Sequence, residues 1–372
     1  MENDIRESMQ AFVDRGVMAG AVTLVASAET MLSIDAVGYA DLVAKDAMRP
    51  DSVFWIASTT KPMTATALMM LVDEGKVKLD DPVERFLPEF AGQMLTAERE
   101  EQRMVLIKPS RPITVRDVLS HTSGLPFMSR AERVIDARPL REAVLSYALT
   151  PLDAEPGTRY AYSNAGTNTV GRIIEVLSGV PYEHFMQARL FGPLGMKDTT
   201  FFPTAQQVQR LAKSYKPATD RAGLEETPIS QFLYPLVRGD RYPCPAGGLF
   251  STAEDVAVFG RMILCGGQLG GRRYLSESAV REMTSTQTGT LLAKDGSGYG
   301  LAWSTTCADG TRAGAPAGAC GHGGAHANDL WIDPQSGLVM VFMVQQTGGF
   351  VGVEGNPVLP AFRKAAIDAF GK

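Results

Sequence analysis

The sequence predicts a mixed α/β (α+β) fold, in which an antiparallel sheet flanked by helices carries an inserted, mostly helical domain. Strand patterns are confined to the two ends of the 372-residue chain, and helical patterns fill the stretch between them. Short turns connect successive strand patterns, as antiparallel pairing allows. We therefore expect an α/β sheet domain from residues 1–75 and 286–372, and a mostly helical domain from residues 76–285.

The N-terminal part of the predicted sheet is a hairpin that follows a helix. Apolar residues between positions 5 and 13 recur at the spacing of an amphipathic helix. Two runs rich in strand-forming residues, 21–26 and 31–37, come next and are separated by a short turn. A gap this short predicts antiparallel pairing of the two runs.

The middle of the chain shows helices with recognisable starts. Thr114 followed by Asp117 has the pattern of a capping box, which satisfies the first amides of a helix. Ser251-Thr252-Ala253-Glu254-Asp255 is a second such start. Helical patterns extend over residues 140–149, 167–177, 182–190 and 251–264.

Strand patterns return near the C-terminus. Residues 299–303, 328–332 and 338–345 alternate or run apolar, and Asp333-Pro334-Gln335-Ser336-Gly337 is a hairpin turn between the last two. Residues 358–370 are predicted to close the chain as a helix.

Composition and charge exclude several classes of protein. The chain is 45% hydrophobic and 21% charged, and its net charge of −5 gives no electrostatic attraction for nucleic acid. No apolar run reaches the roughly 18 residues of a membrane span. The polar start Met1-Glu2-Asn3-Asp4 is no secretory signal, so we expect a cytoplasmic protein, or a periplasmic or secreted one if a signal was removed. The oligomeric state stays open.

The sequence also argues against a metal site. The four cysteines lack C-x-x-C spacing; they are Cys244, Cys265, Cys307 and Cys320. Cys307 and Cys320 can pair across a loop, but buried free thiols are the expected state in a chain of this size. His322, His326 and Asp329 form no ion site, because positions four apart in an extended segment are about 13 Å apart.

The most informative local pattern is Ser58-Thr59-Thr60-Lys61, which precedes a strongly helix-forming stretch. Residues three apart on a helix share a face, so the Lys61 amine can reach the Ser58 hydroxyl. The helix dipole stabilises an alkoxide near a helix start. A lysine whose pKa is lowered by burial can take the serine proton and activate a nucleophile. Taken alone, the pattern also fits a helix-capping serine beside a solvated lysine.

Two further patterns offer groups that such a nucleophile needs. Tyr162-Ser163-Asn164 lies on a predicted loop, where the tyrosine can relay a proton and the asparagine can contact the lysine. Gly321-His322-Gly323-Gly324 precedes a predicted strand, and an amide in this stretch can join the Ser58 amide in an oxyanion hole. Each pattern alone also fits a structural tyrosine or a flexible turn.

In this order, the motifs Ser58-x-x-Lys61, Tyr162-x-Asn164 and His322-x-Gly324 resemble those of the serine β-lactamase and penicillin-binding protein superfamily. The similarity is greatest to its class C β-lactamase-like branch, which includes D-alanyl-D-alanine carboxypeptidases and family VIII carboxylesterases. It extends from about Gly20 to Val344, and includes His121-Thr122-Ser123-Gly124-Leu125. The resemblance implies a β-lactamase/transpeptidase-like fold with the active site in the cleft between two domains.

The resemblance also implies a mechanism. Ser58 would attack a carbonyl carbon and form an acyl-enzyme, Lys61 and Tyr162 would share the proton transfers, and water would release the acid. The amides of Ser58 and Ala325 would hold the oxyanion. The remaining substrate contacts implied are Asn164, His322, Gly323 and Gly324. No cofactor and no metal is implied.

The third motif departs from the Lys-Thr-Gly of most β-lactamases. His322 is a weaker anchor for a substrate carboxylate than a lysine, and Gly323 lacks the threonine hydroxyl. We therefore predict a serine hydrolase acting mainly on small uncharged esters. A D-alanyl-D-alanine carboxypeptidase, a D-aminopeptidase, a weak β-lactamase or an acyltransferase would use the same site. A catalytically silent binding module is the alternative outside enzymes.

The walls of the substrate pocket are less defined by the sequence, because they come from loops. Four aromatic residues are candidates either for the wall or for the core. They are Phe127, Tyr234, Trp331 and Phe350.

Overall fold

The structure is a computed structural model that describes residues 2–129, 132–220, 222–292, 297–306 and 316–371. The strands of the described chain are β1 (Gly20–Ala26), β2 (Met31–Asp41), β3 (Asp46–Ala47), β4 (Phe54–Trp55), β5 (Leu95–Arg99), β6 (Met104–Ile107), β7 (Tyr215–Pro217), β8 (Leu224–Glu226), β9 (Phe250–Ser251), β10 (Gln268–Leu269), β11 (Arg272–Arg273), β12 (Ser297–Tyr299), β13 (Ser304–Thr306), β14 (Cys320–Gly323), β15 (Asp329–Asp333) and β16 (Leu338–Met343).

The α-helices of the same residues are α1 (Glu2–Asp14), α2 (Thr60–Asp73), α3 (Val115–Leu119), α4 (Leu140–Ala148), α5 (Asn164–Ser178), α6 (Tyr182–Met186), α7 (Gly192–Leu194), α8 (Ala205–Gln209), α9 (Ala253–Leu264), α10 (Glu277–Thr284) and α11 (Val358–Phe370). Single 3-10 turns span Ala57–Thr59, Val83–Arg85, Pro88–Phe90 and Gly289–Leu292, and a π turn spans Gln187–Phe191.

One antiparallel sheet contains strands from both ends of the chain. Its order is β12-β13-β14-β15-β16-β1-β2-β3. Leu24 in β1 lies opposite Ile34 in β2 on one side and opposite Val341 in β16 on the other. The predicted N-terminal hairpin and the joining of both chain ends in one sheet are therefore confirmed.

The central strands are apolar on both faces because helices cover both faces. Alternate residues of a strand point to opposite sides. Leu24 packs in the larger core with Phe259 of α9, whereas Val25 packs in a second core with Met9 of α1 and Phe362 of α11. All seven residues of β1 are buried. This explains why β16 has no polar residue and β1 has only Thr23, in place of the alternating polar residues of a half-exposed strand.

The predicted helices are present, with shifted ends. Thr114 and Asp117 form the predicted capping box at the start of α3. Helix α4 matches the predicted 140–149, and α11 matches 358–370. The pattern over 182–190 is α6 followed by the π turn.

Two predictions in the C-terminal part of the sheet were wrong. The predicted strand 299–303 is the end of β12 and a turn in which the Gly300 amide bonds the Trp303 carbonyl. Its residues are apolar because Leu301 and Trp303 are fully buried in the core, not because they form a strand. Strand β14 was missed, because its two glycines lack the side chains that mark a strand.

The middle of the chain forms a helical layer beside the sheet. Helix α5 packs against α2, α3, α4 and α6. Helix α9 lies within the range predicted for the helical domain and packs on the sheet strands β1, β15 and β16. The domain boundaries near residues 75 and 286 stay a prediction.

Candidate active site

The Ser58 hydroxyl lies at a sharp turn from strand into helix. Strand β4 pairs with β9, and the Ile56 amide then donates to the Leu249 carbonyl. Ala57 follows with a φ of 46°, a left-handed conformation that non-glycine residues adopt at a cost. The chain enters the 3-10 turn at once and continues as α2. Ser58 is thereby held half-buried at the start of the helix.

The Lys61 amine makes three contacts, and two of them are to carbonyl oxygens. Lys61 is completely buried in the first turn of α2. Its Nζ lies 2.6 Å from the Ala246 carbonyl oxygen, 2.7 Å from Asn164 Oδ1 and 3.1 Å from Ser58 Oγ. Carbonyl oxygens only accept, so they take two N–H groups. The third position of the amine points at the Ser58 oxygen.

The protonation state of Lys61 decides what that third position holds. Burial lowers the pKa of Lys61 from 10.5 to about 7, and the nearby Cys244 opposes the shift. A neutral amine keeps two N–H groups, which the two carbonyls bind. Its lone pair then faces Ser58 and can accept the hydroxyl hydrogen. The geometry is that of a general base beside its nucleophile.

Helix α5 and the 244–247 loop hold the two carbonyl partners in place. The Ser163 hydroxyl caps α5, which begins at Asn164, two residues before the predicted start near Gly166. Asn168, one turn further, accepts a hydrogen bond from the Ala246 amide at 3.0 Å. Gly171 allows the close approach, because a Cβ there would lie 2.2 Å from Pro245 Cγ.

Tyr162 is the second titratable side chain beside Ser58. Its hydroxyl lies near Ser58, which opposes the rise of the Tyr162 pKa, and its ring centroid is 4.7 Å from Lys61 Nζ. Burial raises the pKa of Tyr162 well above its usual value, so the hydroxyl keeps its proton. Phe127 stacks on this ring with centroids 6.3 Å apart and is 51% exposed, so it can contact a bound substrate.

The third motif runs directly beside the serine turn. His322 lies in β14, and its carbonyl oxygen accepts a hydrogen bond from Thr59 Oγ1 at 3.1 Å. Only glycine fits at position 324, where a Cβ would lie 2.5 Å from the Ile56 carbonyl oxygen. Ala325 follows in an exposed turn. The structure thus brings this backbone next to Ser58, and the oxyanion hole of the Ser58 and Ala325 amides stays a prediction.

Several residues of the site were not predicted from the sequence. The Ala246 carbonyl has no side-chain signature, and Asn328 locks the serine turn by donating to the Trp55 carbonyl at 2.9 Å. His121 and Tyr299 form a buried hydrogen-bonded pair next to His322. A histidine in the His-Thr-Ser-Gly segment was the one visible signal for this pair.

The residues considered as pocket walls or as metal ligands mostly have structural contacts. Trp331 and Phe350 belong to the second core, on the far face of the sheet, so the core interpretation is correct for both. His326 packs edge-on against Trp55, and Asp329 forms an ion pair with Arg363. Among the residues that the structure describes, no group of three His, Cys, Asp or Glu side chains is arranged to hold a metal ion.

Two further sequence expectations concern the cysteines and the membrane. Cys320 is buried, but Cys307 lies outside the described residues, so their pairing stays a prediction. In the described part of the chain, none of the helices combines the length and the apolar composition needed to span a bilayer.

Comparison with known proteins decides the family. The family model described as Beta-lactamase matches residues 5–360. The chain belongs to the β-lactamase family. Esterase EstB of Burkholderia gladioli is 30% identical over 378 residues, which cover 94% of this chain and 90% of that protein. The D-alanyl-D-alanine-carboxypeptidase/endopeptidase AmpH of Escherichia coli K12 is 35% identical over 210 residues, which cover 55% of this chain and 47% of that protein.

A solved structure supports the same fold. EstCE1, described as a hydrolase with promiscuous acyltransferase activity, has a TM-score of 0.83 to this chain at 23% identity, over 98% of this chain and 97% of that one. The predicted family and the β-lactamase/transpeptidase-like fold are confirmed. The β-lactamase family member described here is a serine hydrolase.

Proposed function

We propose that this serine hydrolase is a carboxylesterase that cleaves small uncharged esters through an acyl-enzyme on Ser58. The observation that carries the proposal is the Lys61 amine, fully buried and aimed at Ser58 Oγ from 3.1 Å while two carbonyls hold its N–H groups. A catalytically silent binding module has no use for a buried lysine held in this way, which costs stability.

The proton transfers follow from the positions of three side chains. Lys61 takes the Ser58 proton as Oγ attacks the ester carbon, and the amides of Ser58 and Ala325 bind the oxyanion. The C–O bond to the alcohol breaks as Tyr162 gives its proton to the departing oxygen. Lys61, now protonated, returns that proton to Tyr162. Water then attacks the acyl carbon by the same route in reverse and regenerates Ser58.

The third motif supports an uncharged substrate. The His322 ring is engaged inside the protein at both nitrogens: Nδ1 lies 2.7 Å from the Gly323 carbonyl oxygen and Nε2 lies 3.0 Å from the Tyr299 hydroxyl. Since a carbonyl only accepts, the Nδ1 hydrogen is used there. The imidazole therefore offers little to a substrate carboxylate, unlike the lysine of Lys-Thr-Gly.

The turn that carries the nucleophile rests on a buried apolar cluster. Ala57, the residue before Ser58, packs in a cluster with Trp55, Phe232 and Leu236. This buried cluster holds the Ser58 turn in place, and the third motif supports an uncharged ester as the substrate. The esterase activity named for EstB, a relative over nearly the whole chain, agrees with this substrate class.

The comparisons support two other activities as alternatives. AmpH, which matches about half of this chain, is named as a carboxypeptidase and endopeptidase, so cleavage of D-alanyl peptides is the second candidate, together with D-aminopeptidase and weak β-lactamase activity. The acyltransferase activity named for EstCE1 makes transfer of the acyl group to an alcohol the third.

Intact mass spectrometry during turnover of p-nitrophenyl butyrate tests the proposal. The protein should gain the mass of one butyryl group, and a fluorophosphonate should block that gain. Ser58→Ala should lose both additions and all turnover while keeping its melting midpoint. Ser278→Ala, at an exposed remote position, is the matched control and should behave like the wild type.

The substrate class is tested on the same samples. Turnover of p-nitrophenyl butyrate should exceed turnover of nitrocefin and of a D-Ala-D-Ala peptide. Faster cleavage of the peptide would support the carboxypeptidase instead. Undiminished ester hydrolysis by Ser58→Ala would remove the proposed mechanism.

A further inference from the structure

Three buried side chains, His121, Tyr299 and His322, form a chain of hydrogen bonds that ends beside the Tyr162 hydroxyl. The Tyr299 hydroxyl lies 3.1 Å from His121 Nε2 and 3.0 Å from His322 Nε2. His322 Nε2 is also 3.5 Å from the Tyr162 hydroxyl. His121 is fully buried and Tyr299 is 2% exposed, so solvent does not compete for these hydrogen bonds.

The direction of the first hydrogen bond is set by the backbone. The Ser163 amide donates to His121 Nδ1 at 3.2 Å, so this nitrogen carries a lone pair and not a hydrogen. Burial, with Lys61 and His322 nearby, holds the pKa of His121 well below 6.5, so its ring is neutral. The one ring hydrogen is then on Nε2 and is donated to the Tyr299 oxygen.

The second hydrogen bond follows from the first. Tyr299 accepts from His121, so its own hydrogen goes to its other partner, His322 Nε2. The Gly323 carbonyl independently requires the hydrogen of His322 on Nδ1. Both ends of the chain thus agree that Nε2 of His322 is an acceptor, and that Tyr299 occupies its single lone pair.

We propose that Tyr299 is a positioning residue for the acylation step. By occupying the Nε2 lone pair of His322, it removes the competing acceptor near the Tyr162 hydroxyl and leaves the Tyr162 proton to the serine oxygen and the leaving group. Without the Tyr299 hydroxyl, this lone pair is open to Tyr162 at 3.5 Å. Tyr162 would then turn toward His322 and away from Ser58.

The proposal rests on the esterase mechanism above and makes a prediction about leaving groups. Ethyl butyrate and p-nitrophenyl butyrate carry the same acyl group, but only ethoxide needs a proton to depart. The parameter kcat/KM reports the steps through acylation. We expect Tyr299→Phe to lower kcat/KM for ethyl butyrate by roughly 10- to 100-fold, and for p-nitrophenyl butyrate by less than about threefold.

Two variants distinguish positioning from general damage. Tyr274→Phe also removes a tyrosine hydroxyl, one that donates to the Pro193 carbonyl away from the site, and should leave both esters unaffected. In a Tyr162→Phe background, Tyr299→Phe should cause no further loss on ethyl butyrate, because the residue through which it acts is gone.

The outcomes separate the two proposals. Equal losses on both esters, or losses that multiply in the double variant, would overturn the role of Tyr299 while leaving the esterase intact. Wild-type protein that hydrolyses neither butyrate ester would instead overturn the proposed function. A melting midpoint for each variant shows whether the compared proteins are folded.

Discussion

At the scale of single residues, the chemistry depends on the charge of one amine. The shift of the Lys61 pKa from 10.5 to about 7 corresponds to about 5 kcal/mol against the charged form. Burial is the main cause of the shift, and the two carbonyl partners orient the amine toward Ser58. An amine that is partly neutral near pH 7 can act as a base, whereas a solvated lysine cannot.

This charge predicts the pH dependence of the proposed esterase. Only neutral Lys61 can accept the Ser58 proton, so kcat/KM for p-nitrophenyl butyrate should rise with pH through about 7 and then level off. Lys61→Arg should lower kcat/KM by at least roughly 100-fold, because arginine stays protonated. Rates corrected for spontaneous hydrolysis check both expectations. A profile still rising above about pH 9 would place the base elsewhere.

At the scale of elements, α2 is a core helix that carries the proposed catalytic lysine. All its residues from Thr60 to Leu71 are buried. It contacts α5, α6 and α10 as well as β14, so no face of it is left for solvent. A helix apolar on all sides suits this position. Lys61 is the one charged residue in this buried stretch, and its burial should cost stability at pH values where it is charged.

The cost of this lysine can be measured as a function of pH. Between the folded pKa of about 7 and the unfolded value of 10.5, the unfolded chain binds more protons than the folded one, so wild-type stability rises with pH. Relative to Lys61→Met, the wild type should gain about 3 kcal/mol of unfolding free energy between about pH 6.5 and about pH 9.5.

Urea titrations of both proteins at the two pH values give this difference. Other groups titrate equally in the two proteins and cancel. A difference that does not change with pH would mean that Lys61 is charged in the folded protein throughout this range.

At the scale of the whole molecule, distant loops meet to form the buried apolar cluster behind the Ser58 turn. Arg241 and Asp136 form a buried ion pair at 2.5 Å, with both side chains 1% exposed. The Arg241 guanidinium also lies 5.0 Å from the Phe232 ring centroid, and Asp136 accepts from the Leu233 amide. The pair therefore fixes the segment whose Phe232 packs against Trp55.

Breaking this pair should affect both stability and acyl preference. Arg241→Met leaves Asp136 buried without its partner, so we expect a loss of about 3–5 kcal/mol of unfolding free energy. The ratio of kcat/KM for butyryl over acetyl esters should fall, because the packing of Phe232 behind the Ser58 turn loosens. Urea denaturation and the two p-nitrophenyl esters measure these effects.

Arg238→Met is the matched control. Arg238 pairs with Asp240 only three residues away from Arg241, but on the exposed surface. The control should keep the wild-type melting midpoint and the wild-type ester ratio. Equal effects of the two variants would contradict a special role for the buried pair.

Much of the fold was predicted from local sequence patterns, and the predictions that failed have physical causes. The hairpin of β1 and β2, the capping box of α3 and the C-terminal helix α11 depend on neighbouring residues, and the structure contains all three. Strand β14 was missed because backbone pairing with β13 and β15, and not side-chain pattern, makes it a strand. The apolar residues of 299–303 reflect burial of a turn.

The sequence by itself determined the family and the order of the candidate catalytic groups, because Ser58 and Lys61 are brought together by the spacing of a single helical turn. Only the tertiary structure decided the charge of Lys61 and the direction of the Tyr162 proton. The charge depends on burial, and the Ala246 carbonyl that orients the amine lies 185 residues along the chain. The proton direction, as we infer it, depends on the Tyr299 hydroxyl. Such contacts are made by folding and leave no local pattern in the chain.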